Sequence, residues 1–214
     1  SVVRGINVVN LLGHQLDLYK GEGRYMHQLF TGYRGDGKST ELKRLMTRID
    51  EEYFPLYFEA EKEFDLNDLE FSEFLLGVAT AVYNRMDQNG LELPEDLQRD
   101  VADWFGAVVQ TVEQRTSAEL KGEIGAGGSW FGFITAKLLG TIKAGGERRT
   151  EVRREFNKNL VQLIEHVDRL LFAAGGICKE NKGKGLVIIM DNLDRLTPDL
   201  AFNLFYTNGQ KLCM

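Results

Sequence analysis

Apolar positions along this chain recur with two periods, one helical and one extended. From Lys38 onward Leu42, Leu45, Met46, Ile49 and Tyr53 fall three and four apart, one face of an amphipathic helix. Phe71, Phe74, Leu75, Val78, Val82 and Met86 predict a second helix, with Asp68 as its N-cap and Asn89-Gly90 as its stop. A third starts at Pro94-Glu95-Asp96 and buries Leu97, Val101, Trp104, Phe105, Val108 and Val112. A long fourth helix runs from Glu147 through Val152, Phe156, Leu160, Leu163, Val167 and Leu170, and stops at Gly175-Gly176. Three short apolar runs read as strands: residues 25–30, residues 54–59 (FPLYFE) and residues 186–190 (LVIIM). The last is unbroken, as suits a parallel strand buried on both faces. Strands alternating with helices predict an α/β fold with a doubly wound, mainly parallel sheet. Residues 117–146 are rich in glycine beside Trp130, Phe131 and Phe133, and read as a loop or irregular hairpin. The pattern divides the chain into residues 1–94 as the first part of a core, 95–146 as a helical and glycine-rich insertion, and 147–214 as the second part.

The turn ahead of the first amphipathic helix carries the clearest chemistry. Gly32-Tyr33-Arg34-Gly35-Asp36-Gly37-Lys38-Ser39 matches G-x-x-x-x-G-K-[ST] at every fixed position, and Thr40 follows. Glycines let successive backbone N–H groups turn inward toward phosphate oxygens. The helix beginning near Lys38 aims its positive end at the same anion. In this arrangement Lys38 reaches the β- and γ-phosphates, and the Ser39 hydroxyl ligates Mg2+.

The run LVIIM ends in Asp191-Asn192-Leu193-Asp194-Arg195. An aspartate at the carboxyl end of a buried parallel strand lies where such sheets bind ligands. Asp191 is the expected second holder of Mg2+, opposite Ser39. Asp194 either polarises an attacking water or caps the helix that Thr197-Pro198 starts. Arg195 reads as an ion-pair partner. As possible catalytic groups the sequence offers Lys38, Asp191 and Asp194.

These motifs resemble the P-loop ATPases of the AAA+ and STAND groups, and especially bacterial proteins of the KAP type. Gly32-x-x-Gly35-x-Gly37-Lys38-Ser39 has the glycine spacing usual in AAA+ proteins, and Asp191-Asn192-Leu193-Asp194-Arg195 is similar to the Asp-Asp-Leu-Asp-Arg run of KAP proteins. The resemblance implies a P-loop NTPase sheet, ATP or ADP with Mg2+ as ligands, and a nucleotide-driven switch or motor within a larger oligomeric protein. One position departs from it. AAA+ proteins usually carry Glu directly after the metal aspartate, and here that place is Asn192. An amide takes up no proton, so a non-hydrolysing ATP- or ADP-binding regulatory module is an alternative, and a DNA-acting loader-type ATPase is another. GTP is disfavoured: Asn181-Lys182-Gly183-Lys184 and Asn157-Lys158-Asn159-Leu160 both lack the aspartate of a guanine-reading run.

Composition changes this picture little. The 214 residues are 43% hydrophobic and 27% charged, ordinary values for a globular chain. A net charge of −6 gives no overall footprint for nucleic acid. Arg148, Arg149, Arg153 and Arg154 are interleaved with Glu147, Glu151 and Glu155, which reads as a solvated helix face laced with ion pairs. Cys178 and Cys213 have no metal-ligand spacing, and their usage fits a reducing cytoplasm. His14, His27 and His166 are scattered and read as structural. The longest apolar stretch, residues 130–142, contains Lys137 and is too short to span a bilayer. A start at Ser1 and an end soon after residue 190 suggest a fragment whose completing residues lie elsewhere.

Overall fold

The runs FPLYFE and LVIIMD form strands β1 (Phe54–Glu59) and β2 (Leu186–Asp191). They pair in parallel, in register from Phe54 opposite Leu186 to Glu59 opposite Asp191. A computed structural model describes residues 8–18, 26–33, 35–117, 129–209 and 211, and among these the sheet has just the two strands. This corrects the expected fold. The chain does not build a doubly wound, mainly parallel sheet of the P-loop NTPase type; helices dominate it and enclose a two-stranded ribbon. The strand expected over residues 25–30 is the clearest miss. Residues 26–33 have no regular structure, and Tyr25 lies outside the described residues. His27, Gln28 and Leu29 are exposed there, so the short apolar run has neither a partner strand nor a buried face to hold it extended.

The helices are α1 (Val8–Leu18), α2 (Lys38–Ile49), α3 (Ala60–Glu63), α4 (Phe71–Gln88), α5 (Glu95–Thr116), α6 (Trp130–Ala144), α7 (Gly146–Lys158), α8 (Leu160–Lys182) and α9 (Pro198–Phe202). A 3-10 turn, Leu193–Arg195, follows β2 directly. One face of the ribbon meets α1 and α2, where Val187 packs against Val9, Leu12, Leu45, Ile49 and Tyr53. From the other face Leu56 and Phe58 join a large core built from α4 to α8. Period-2 alternation in the strands therefore sorts side chains between two separate apolar layers.

Helix α4 is buried on nearly every side and forms the centre of the large core. Its N-terminus is a capping box of Glu70 and Glu73, two residues after the expected Asp68 cap. Asp68 instead accepts from Arg153 at 3.1 Å. Arg149 and Arg153 also converge on Glu73, so two of the four arginines of the basic cluster face inward and are not on a solvated face. Phe105, Phe131 and Phe156 are fully buried around this centre, and truncating one to alanine costs roughly 3–5 kcal/mol.

Two glycine-based expectations also fail where the structure describes them, residues 118–128 of the first lying outside the described residues. Residues 130–144 are helical, because Phe131, Ile134, Leu138 and Ile142 recur at helical spacing and all enter the core. An added Cβ at Gly132 would lie 3.6 Å from the Tyr83 ring, an ordinary contact, so space does not demand glycine there. The long fourth helix is two helices broken at Asn159, and the second passes through Gly175-Gly176. Burial of Ala174 and Cys178 offsets the cost of about 1 kcal/mol per helical glycine, and the helix ends at Gly183, in the left-handed region at φ 98°.

Candidate functional site

Helix α2 begins at Lys38 because Gly37 turns the backbone into the left-handed region, at φ 78° and ψ 24°. Gly35 is left-handed as well, at φ 90°. An added Cβ would meet nothing within 4 Å at either glycine, so backbone conformation rather than space demands glycine there. The Asp36 carboxylate accepts the Tyr33 N–H at 2.9 Å, and the Asp36 N–H donates to the Tyr33 carbonyl at 3.2 Å, which tightens the loop. Tyr33 projects into solvent with 87% exposure. Gly32 precedes this turn, Thr40 lies exposed on the first turn of α2, and Arg34 lies outside the described residues.

Lys38 folds back over the loop. Its ammonium donates to the Gly32 and Tyr33 carbonyls at 3.0 and 3.1 Å and pairs with Asp194 at 3.2 Å. Asp194 does not cap α9; Thr197 does, its hydroxyl accepting the Leu200 N–H at 3.4 Å. The Ser39 hydroxyl donates to Asp191. Four residues singled out by sequence, Lys38, Ser39, Asp191 and Asp194, thus meet at the carboxyl end of β2.

Asp191 is buried, with 5% exposure. Burial alone would push its carboxyl up. Hydrogen bonds from Ser39, Tyr57 and the Asn192 N–H, with the charge of Lys43, outweigh that and hold it below the usual carboxylate range. The Tyr57 hydroxyl donates at 2.6 Å and the Asn192 N–H at 2.8 Å. Burial, the bond to Asp191 and the charges of Asp191 and Glu59 together push the Tyr57 phenol up, so it stays a donor at any physiological pH. Lys43, one turn along α2, lies 5.6 Å from the Tyr57 ring centre. A carboxylate kept ionised beside a serine hydroxyl is a pair of hard oxygen donors. Among the described residues no three His, Cys, Asp or Glu side chains form a metal cage. Mg2+ needs none: it takes one or two protein oxygens and completes its shell with phosphate and water.

Sequence reasoning missed Tyr57, Lys43, Glu59 and Glu61. Asn192 adopts φ 63°, and its side-chain amide donates to Glu61 at 2.9 Å. Glu61 also pairs with Arg195, which has the ion-pair role expected of it. The pairing of β1 with β2 brings Tyr57 and Glu59 beside Asp191, while Lys43 comes from α2, and no local pattern announces that register. The one available signal was the acidic end of FPLYFE.

Comparison with family models, with curated proteins and with solved structures returns no match. The resemblance to AAA+ and KAP-type ATPases therefore stands on residues 32–40 and 191–195 alone. Among the described residues no helix is long and apolar enough to cross a membrane.

Proposed function

We propose that this chain binds ATP with Mg2+ at the loop of residues 32–40 and hydrolyses it, as a nucleotide-driven switch or motor within a larger, oligomeric protein of the cytoplasm. The carrying observation is the convergence of Lys38 and Ser39, from one end of the chain, with Asp191 and Asp194 from the other. Loop amides and the N-terminus of α2 offer donors to an anion. Lys38 exchanges two carbonyls and Asp194 for phosphate oxygens, which are stronger partners for an ammonium. Ser39 and Asp191 are the residues that hold Mg2+, which neutralises charge on the phosphates when bound. Tyr57 and the Asn192 N–H keep Asp191 ionised and oriented for that task.

Replacing Lys38 with alanine tests the reading by titration of the protein with ATP and Mg2+. Loss of binding is expected, and unchanged affinity would sink the phosphate-loop assignment. A second reading, occupancy by ATP or ADP without turnover, is favoured by one observation. Asn192 stands beside the metal aspartate, and its amide is tied to Glu61. Sustained phosphate release by the intact protein argues against that second reading.

A further inference from the structure

The proposed hydrolysis lacks a group to activate water, since the amide of Asn192 takes up no proton. Three carboxylates beside Asp191 compete for that role. Asp194 pairs with Lys38 at 3.2 Å, a contact that phosphate displaces, but its side chain is 43% exposed in the turn beyond β2, whereas that of Glu59 is 22% exposed. Glu61 has both oxygens committed, one accepting from Asn192 at 2.9 Å and the other paired with Arg195. Glu59 differs. It ends β1 opposite Asp191, the last residue of β2 in the same register. Parallel partners project to one face of a ribbon, and Tyr57, two residues earlier on β1, already reaches Asp191 from that face. The Glu59 carboxylate pairs with Lys62 at 2.7 Å, but Lys62 is mostly solvent-exposed. Such a contact contributes at most about 1 kcal/mol and exchanges readily for water.

We propose that Glu59 is the carboxylate that orients the attacking water and accepts its proton, delivered from the neighbouring strand in place of a group at position 192. The inference rests on the ATP-binding reading above. In the step, the water oxygen bonds to the γ-phosphorus as the bond from phosphorus to the bridging oxygen of ADP breaks. That bonding pair leaves with ADP. Glu59 takes one water proton and returns it to the new phosphate, so ATP and water give ADP and dihydrogen phosphate.

The test uses the full-length protein and its Glu59→Gln variant, with two readouts: affinity for ATP with Mg2+, and the nucleotide found bound after incubation with ATP and Mg2+. The expected variant keeps affinity within about threefold, releases phosphate roughly 10²–10⁴-fold more slowly, and carries intact ATP where the parent carries ADP. Glu59→Asp, which keeps the carboxylate, recovers part of the turnover. Glu61→Gln and Asp194→Asn lower it less than Glu59→Gln does. Parent-like phosphate release by Glu59→Gln overturns the inference, and so does a parent that binds ATP and never turns it over. Failure of the parent to bind ATP with Mg2+ overturns the underlying reading instead, and the inference with it.

Discussion

Glu73 is the buried charge on which the packing of α7 against α4 depends. It is 1% exposed, and Arg149 and Arg153 each approach it with a two-pronged contact. Their Nε atoms donate to one carboxylate oxygen, both at 2.9 Å, and their Nη2 atoms donate to the other at 3.1 and 3.0 Å. The Glu70 N–H adds a further bond at 3.1 Å as half of the α4 capping box. Glu73→Gln keeps the shape but removes the charge, and turns an NH2 group toward one of the guanidinium forks. Removing one partner of a buried pair costs about 3–5 kcal/mol. Both arginines keep Asp68 as a partner, so the lower end applies, about 3 kcal/mol. That is roughly a hundredfold in the unfolding equilibrium. Urea denaturation at pH 7 measures it as a lower midpoint with an unchanged slope. A loss below about 1 kcal/mol would refute the claim that the clamp stabilises the fold, since exposed pairs reach that value unaided. The pH dependence adds a sign. Burial pushes the Glu73 carboxyl up, but the Arg153 and Arg149 hydrogen bonds outweigh burial and hold it below its ordinary value. Its contribution is therefore present above about pH 4.3 and is lost as pH falls through the lower folded value. The gap between parent and variant narrows in acid.

Other outcomes follow from the same geometry. Gly37→Ala places an L side chain at φ 78° with no steric contact, so the cost is backbone strain alone, about 1–2 kcal/mol. It appears in urea denaturation as a lower midpoint, and unchanged stability contradicts the left-handed turn. Burial pushes the Asp168 carboxyl up to about 6. Its folded value lies above its unfolded one, so the stability it contributes at low pH is lost as pH rises toward 6. Asp168→Asn raises Tm at pH 7 and removes that decline between pH 4 and 6; a lower Tm at pH 7 contradicts the assignment.

What could be read from the sequence was local. Leu42, Leu45, Met46 and Ile49 announced α2 by spacing, and FPLYFE and LVIIMD announced β1 and β2 by continuous apolar character. The loop glycines announced the left-handed turns found at Gly35 and Gly37. Tertiary context decided the rest. The run at residues 25–30 has strand-like composition, but its described residues, 26–30, have no buried face, whereas residues 130–144 have glycines but a core-facing stripe. Burial overrode propensity in both places. Alternation of strands and helices suggested a wide sheet, yet only two runs found each other as partners among the described residues. At the site, Lys38, Ser39 and Asp191 were legible from chemistry carried in short motifs. Tyr57, Glu59 and Glu61 were not, because their roles come from the pairing of β1 with β2.

The central claim is a site for ATP and Mg2+ formed by residues 32–40 with Asp191. Its most direct test is a calorimetric titration of the protein with ATP, ADP and GTP, with and without Mg2+. The account predicts saturable binding that favours adenine nucleotides, tightens with Mg2+ and disappears in Lys38→Ala. Absence of binding by the folded full-length protein, or binding that Lys38→Ala leaves unchanged, would contradict it.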